Sequence, residues 1–202
     1  MNKTAMLGGS FDPIHLGHLF LLHCALTLSP YRRIIIVPAK QSNFKRTSAP
    51  TVSDKDRLQM INLALEDYRD LYPDDKEAEI VVSDMEIKRG GISYTYDTVT
   101  QIREEYGIKE RVGLIMGDDH VSRLDEWYRY KELKDVVEFV ICRRNPDGLL
   151  WKALPQDAQV LRLEPESTSP ESATLIREEL KEHEKFLSRR VLEYVRLHNL
   201  YS

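Results

Sequence analysis

The chain has 202 residues, 42% of them hydrophobic and 31% charged, with 29 Lys and Arg against 33 Asp and Glu for a net charge of −4. That length suits one domain of about 100–200 residues, the composition is too apolar for a disordered chain, and the acidic balance excludes the basic footprint of a protein held on nucleic acid by phosphate contacts. Two cysteines, Cys24 and Cys142, stand without Cys/His metal spacing, which fits a reducing, cytoplasmic setting.

Residues 4–7 form a short apolar strand that runs into Gly8-Gly9-Ser10, read as a tight turn, and a helix follows over 16–28. Gly17, His18 and His23 interrupt that helix and only Lys3 precedes it as a cation, so it is expected to be neither a membrane span nor a signal peptide. Residues 33–37 are a continuous β-branched run stopped by Pro38, the pattern of a strand buried on both faces of a parallel sheet. A polar loop over 39–52 comes next. Ser53 with Asp56 is a capping signature ahead of Leu58, Ile61 and Leu65 at helical spacing.

Further strands are expected at 80–82, 112–116, 136–142 and 159–163, with a helix over 95–106 and a stop at Gly117-Asp118-Asp119. Ser169-Pro170 caps a helix start, Leu175, Ile176 and Leu180 continue it, and residues 190–198 pack back through Val191, Leu192 and Val195. Strands alternating with helices predict an α/β fold: a doubly wound, Rossmann-like parallel sheet with helices on both faces. The whole span 1–202 is expected to be one domain whose residues from about 169 onward form a small helical subregion.

The chemistry concentrates in Gly8-Gly9-Ser10-Phe11-Asp12-Pro13-Ile14-His15-Leu16-Gly17-His18, where the first strand gives way to the first helix. Ligands of open parallel sheets bind beyond the carboxyl ends of the strands, and a helix starting there offers unpaired N–H groups and a positive dipole end to an anion. Glycines let backbone approach a phosphate, and His15 and His18 lie three apart, placed to donate to the same phosphoryl oxygens. Blander readings compete. A Gly pair after a strand is often only a turn, and a His-x-x-His pair binding zinc needs a third ligand that no neighbouring His or Cys supplies. A dehydrogenase-type G-x-G-x-x-G fingerprint is absent. Asp12 reads as a loop-shaping side chain, and His23, His120, His183 and His198 fall into no pattern.

This stretch resembles the signature of the H-x-G-H nucleotidylyltransferases, and their second motif, S-x-T-x-x-R, is matched by Ser172, Thr174 and Arg177. Ser93-Tyr94-Thr95, Gly117 with Asp119, Glu126-Trp127-Tyr128 and the run ending in Arg143 and Arg144 are similar to the bacterial nicotinate-nucleotide adenylyltransferases. The resemblance implies adenylyl transfer from ATP to nicotinate mononucleotide, with Mg²⁺ carried mainly by substrate phosphates. It implies His15, His18 and Arg177 as catalytic, and Gly8, Gly9, Ser10, Phe11, Ser172, Thr174 and Arg177 around ATP. Lys45, Thr95, Asp119 and Trp127 would meet the mononucleotide, Trp127 by stacking on the pyridine ring in a partly open site.

The loop after the second strand departs from the family's Pro-Pro-His, which leaves open whether Lys40, Lys45 or Arg46 meets a phosphate, and Glu171 replaces the usual isoleucine before Ser172. Pantetheine-phosphate and nicotinamide-mononucleotide adenylyltransferases are the competing enzymes, and a non-catalytic nucleotide-binding module is the competing class. No membrane or nucleic-acid partner is expected, and the sequence leaves a homo-oligomer open.

Overall fold

The computed structural model describes residues 3–42, 50–143, 154–162 and 173–201. The strands are β1 (Lys3–Gly9), β2 (Tyr31–Pro38), β3 (Glu79–Val82), β4 (Val112–Gly117), β5 (Val137–Arg143) and β6 (Gln159–Arg162). They form one parallel sheet in the order β3-β2-β1-β4-β5-β6. The helices are α1 (Leu16–Leu28), α2 (Asp54–Leu71), α3 (Met85–Arg89), α4 (Thr95–Glu105), α5 (Tyr130–Val136), α6 (Ala173–Glu178), α7 (Leu180–His183) and α8 (Arg189–Leu197). The expected doubly wound architecture is present, and no described helix is long and apolar enough to cross a membrane.

The period of two along the central strands divides their apolar side chains between two cores. Ala5, Leu7, Ile34 and Ile36 join Leu22 of α1, Met60 and Ile61 of α2 and Val191 and Val195 of α8 on one face. Met6, Ile35, Val37, Leu114 and Met116 join Val99 and Ile102 of α4 and Leu133 of α5 on the other. Each fully buried aliphatic side chain contributes about 1.5–3 kcal/mol, so the sheet is clamped from both sides and its carboxyl ends form a rigid frame. The strand order reverses between β1 and β4, which places a ligand crevice outside their carboxyl ends.

Several boundaries differ from the sequence expectation. Gly8 and Gly9 pair with Val37 and Pro38 as the last residues of β1, so the glycines finish the strand and the turn comes later. The predicted cap of α2 forms: the Ser53 hydroxyl accepts from the Asp56 amide at 3.1 Å and donates to the Asp56 carboxylate at 2.6 Å. The short helices α3 and α5 and a run of 3-10 turns at Asp118–Glu126 have too few residues to show a periodic stripe. The C-terminal helical stretch is broken at Glu179 (φ −139°, ψ 58°) between α6 and α7. The predicted cap at Ser169-Pro170 lies outside the described residues.

Candidate active site

The chain leaves β1 through Ser10 and turns at Phe11, whose φ of 47° is a left-handed value that side-chain-bearing residues rarely adopt. Packing holds it there: the ring is 1% exposed and lies edge-on to His18 at 5.0 Å. A Cβ on Gly9 would sit 3.2 Å from Phe11 Cζ, so a larger residue there would press on the ring that fixes the turn. The Asp12–Pro13 peptide that follows is cis. Asp12 is buried and shapes the loop as expected, accepting from the Thr51 amide at 2.7 Å, the Thr51 hydroxyl at 3.0 Å and the Tyr201 hydroxyl at 2.8 Å.

His15 is not yet helical; with φ −142° and ψ 171° it is the N-cap of α1. Its amide donates to Nδ1 of His18 at 3.2 Å. An accepting Nδ1 carries no proton, so neutral His18 holds its proton on Nε2, the far side of the ring. The two rings are 3.8 Å apart between centroids. The first turn of α1 contains no acidic residue, whereas α2 carries Asp54 and Asp56 in its first turn. The positive end of α1 is therefore left for an anion, and that of α2 is offset by its own side chains.

These groups border a cleft of about 580 Å³ at the strand ends, lined by Gly8, Gly9, Ser10, Phe11, His15, His18, Thr95, Met116, Gly117, Asp119, Trp127 and Thr174. Of the site residues read from the sequence, Arg177 is described but is not among the cleft's lining residues. Its guanidinium donates to the Asp12 carbonyl at 2.6 Å and to Thr174 Oγ1 at 3.1 Å. Thr174 Oγ1, accepting from Arg177, retains its own O–H to donate. Lys45, Arg46, Arg144 and Ser172 lie outside the described residues. Lys40 is tied to Asp54 at 2.6 Å.

Trp127 is 9% exposed and packs in the second core while forming part of the cleft wall. The charged neighbours Glu126 and Arg129 thus accompany a ring that is nearly buried yet still borders the cleft.

Three residues at or behind the cleft were given no role in the sequence reading. Arg57 is 0% exposed; it donates to the Ser10 carbonyl at 2.7 Å and to Asp54 at 2.6 Å. Its place on the buried stripe of α2, with Met60, Ile61 and Ala64, was the available signal. Glu86 is buried and lines the cleft. Burial pushes its carboxyl above the ordinary range, against hydrogen bonds from Thr98 and Ser93 and the nearby Arg89. His120 also lines the cleft, with its ring edge-on to Trp127 at 6.3 Å.

The cytidylyltransferase-like family model matches residues 6–179. This chain belongs to that family. A relative from Oceanobacillus iheyensis is 33% identical over 100% of this chain and 97% of its own. One from Listeria innocua is 33% identical over 99% and 97%. A third, from a Hydrogenobaculum species, is 35% identical over 72% and 70%. All three bear the name probable nicotinate-nucleotide adenylyltransferase. The solved Plasmodium falciparum nicotinic acid mononucleotide adenylyltransferase complexed with NaAD has a TM-score of 0.78, with 18% identity over 100% of this chain and 98% of that one. That likeness establishes the shared fold.

Proposed function

We propose that this chain transfers the adenylyl group of ATP to nicotinate mononucleotide, giving nicotinate adenine dinucleotide and pyrophosphate in NAD biosynthesis. One observation carries the reading: a helix start without acidic side chains and a His18 with its proton directed away from the backbone border the same cleft at the sheet's switch point. Full-length relatives of this chain bear the matching enzyme name.

The mononucleotide phosphate is already a nucleophile. One of its oxygens forms a bond to the α-phosphorus as the bond from that phosphorus to the bridging oxygen breaks, and the electron pair leaves with pyrophosphate. No protein nucleophile enters, so the protein's work is alignment and charge stabilisation. His18 Nε2–H and His15 donate to phosphate oxygens at the start of α1. Thr174 donates its hydroxyl proton to the departing phosphates, held for that by Arg177. Gly8, Gly9, Ser10 and Phe11 form the floor beneath ATP. Thr95, Asp119 and Trp127 bound the mononucleotide end, with backbone donors at the start of α4 available to a carboxylate.

A divalent cation belongs to this chemistry, and Mg²⁺ is the one we propose. Among the described residues, the one His/Cys/Asp/Glu group close enough to hold a metal is Glu179, Glu182 and His183, and none of the three lines the cleft. The donors that do line it suit an ion carried by phosphate oxygens and water, where it neutralises charge spreading over the phosphates.

The test is pyrophosphate release from ATP with nicotinate mononucleotide, nicotinamide mononucleotide and phosphopantetheine in parallel. A site that pairs a particular polar group discriminates by up to ~10⁴-fold, so a strong preference for the acid is expected. Comparable kcat/KM for acid and amide, or turnover of phosphopantetheine alone, overturns the assignment.

A further inference from the structure

Tyr201 lies beyond α8 with φ 60°. Its phenol crosses to the motif loop and donates to Asp12 Oδ1 at 2.8 Å, over a sequence separation of 189 residues. The other carboxylate oxygen of Asp12 is held by the Thr51 amide and hydroxyl, and its carbonyl by Arg177. Asp12 stands between Phe11, in its left-handed conformation, and His15, the cap of α1. Three distant segments thus converge on the residue that joins the strained turn to the phosphate-facing histidine. Thr51 and Arg177 leave Oδ1 to Tyr201, so the phenol fixes the remaining rotation of the carboxylate.

We propose that the Tyr201 hydroxyl is a positioning residue for the nucleotide site, acting through Asp12 to hold the 10–15 loop in its phosphate-receiving form. The phenol is suited to the task. Burial raises its pKa above the ordinary tyrosine value and the neighbouring Asp12 charge raises it further, so it remains a donor across the working range. Its ring packs against the first core, and Tyr201→Phe therefore removes the hydroxyl while keeping that packing. The molecule carries its own control. Tyr194, in α8, donates to Asp56 Oδ1 at the same 2.8 Å, but Asp56 lies in the first turn of α2 against its cap Ser53 and is no part of the 10–15 loop.

The inference rests on the proposed reaction only for its turnover readout, because ATP binding reports on the same loop. Tyr201→Phe and Tyr194→Phe are compared in the full chain by ATP calorimetry and by pyrophosphate release, at matched folded fraction. One lost hydrogen bond to a charged group corresponds to about tenfold, so in Tyr201→Phe the ATP Kd rises and kcat/KM for ATP falls by about that factor. Tyr194→Phe moves neither by more than about twofold. Adding Tyr201→Phe to Asp12→Asn produces little further change, because both act through one contact. The proposal is overturned if Tyr201→Phe binds ATP as the wild type does, if Tyr194→Phe has an equal effect, or if the Asp12 and Tyr201 effects simply add. A wild type that binds ATP but does not adenylylate nicotinate mononucleotide defeats the reaction assignment, and the ATP Kd comparison still decides the role of Tyr201.

Discussion

The Arg57 guanidinium, with 0% of its side chain exposed, donates to the main-chain carbonyl of Ser10 at 2.7 Å. Arg177 does the same to Asp12, two residues on. Two cations thus hold neighbouring parts of the loop through main-chain carbonyls. The arrangement turns the negative ends of these peptides toward the arginines and places positive charge behind the loop that borders the cleft.

We predict that Arg57→Lys lowers both stability and turnover. A lysine keeps the charge but not a fork that spans Ser10 and Asp54. Each buried partner left unmet costs about 1–3 kcal/mol, and a chain of this size loses about 2–4 °C of Tm per kcal/mol. Thermal unfolding should show a fall of roughly 5–10 °C on those figures, with kcat/KM for ATP reduced at temperatures where the variant is folded. An unchanged Tm would show that the pairing is not what holds the loop.

Asp54 makes this support dependent on pH. Burial alone would raise its carboxyl pKa, but hydrogen bonds and charge from Lys40 and Arg57 outweigh that and hold it below the ordinary value of 3.8. A folded-state pKa below the unfolded one contributes stability that is present above pH ~4 and lost as pH falls through the folded value. Wild-type Tm should therefore drop on acidification below pH ~4 more steeply than that of Asp54→Asn, which lacks the titrating group. Parallel Tm profiles in the two proteins would remove Asp54 from the acid transition.

For His18 the tautomer gives a sharper test than truncation. Asparagine can accept from the His15 amide as Nδ1 does, yet it has no donor at the Nε2 position. His18→Asn should keep most of the cap and so most of the Tm, while kcat falls by about 10²–10³, the scale of one lost donor to developing charge. His18→Ala should lose the cap as well, about 1 kcal/mol. Wild-type turnover in a folded His18→Asn protein would rule out the donor role.

How much of this was legible in advance follows from the length scale of each signal. The β-branched run 33–37 and the stripe Leu58, Ile61, Leu65 extend over several repeats, so β2 and α2 and the parallel sheet could be read directly. His15, His18 and Thr174 come from compact local motifs, and the structure brings them to one cleft. Arg57, Tyr201 and Glu86 escaped notice because their meaning lies in partners far along the chain. The contact from Tyr201 to Asp12 spans 189 residues, and no local pattern reports such a pairing. Trp127 was legible as a cleft residue, but its near-complete burial was not, because charged neighbours in sequence say little about how deeply a ring packs.

Arg177 is placed to act through what it holds. Its hydrogen bonds to the Asp12 carbonyl and Thr174 Oγ1 need the guanidinium fork, and a lysine can satisfy only one of them at a time. Arg177→Lys should therefore raise the KM for ATP much more than the KM for the mononucleotide, because in the proposed reaction Thr174 and the 10–15 loop meet the phosphates of ATP. Steady-state kinetics with each substrate varied separately distinguishes this from a general loss of folding, which would lower kcat while leaving the two KM values in their wild-type ratio.

In the proposed reaction Trp127 bounds the mononucleotide end, and its burial dictates how that role must be tested. At 9% exposure within the second core, truncation to alanine would cost about 3–5 kcal/mol in lost packing, and the resulting loss of activity could not be attributed to the site. Trp127→Phe retains an aromatic ring and most of the core contacts while shrinking the face available for stacking on a pyridine. Stacking and the edge contact with His120 at 6.3 Å both weaken, whereas the loop, α1 and Thr174 are untouched. The expected result is a mononucleotide KM several-fold higher, in line with the about 0.5–1.5 kcal/mol that an aromatic pair contributes beyond its buried area. The KM for ATP should stay near its wild-type value. If ATP use suffers as much as mononucleotide use, Trp127 is a core residue that borders the cleft without serving it, and the pyridine end must be sought nearer Thr95.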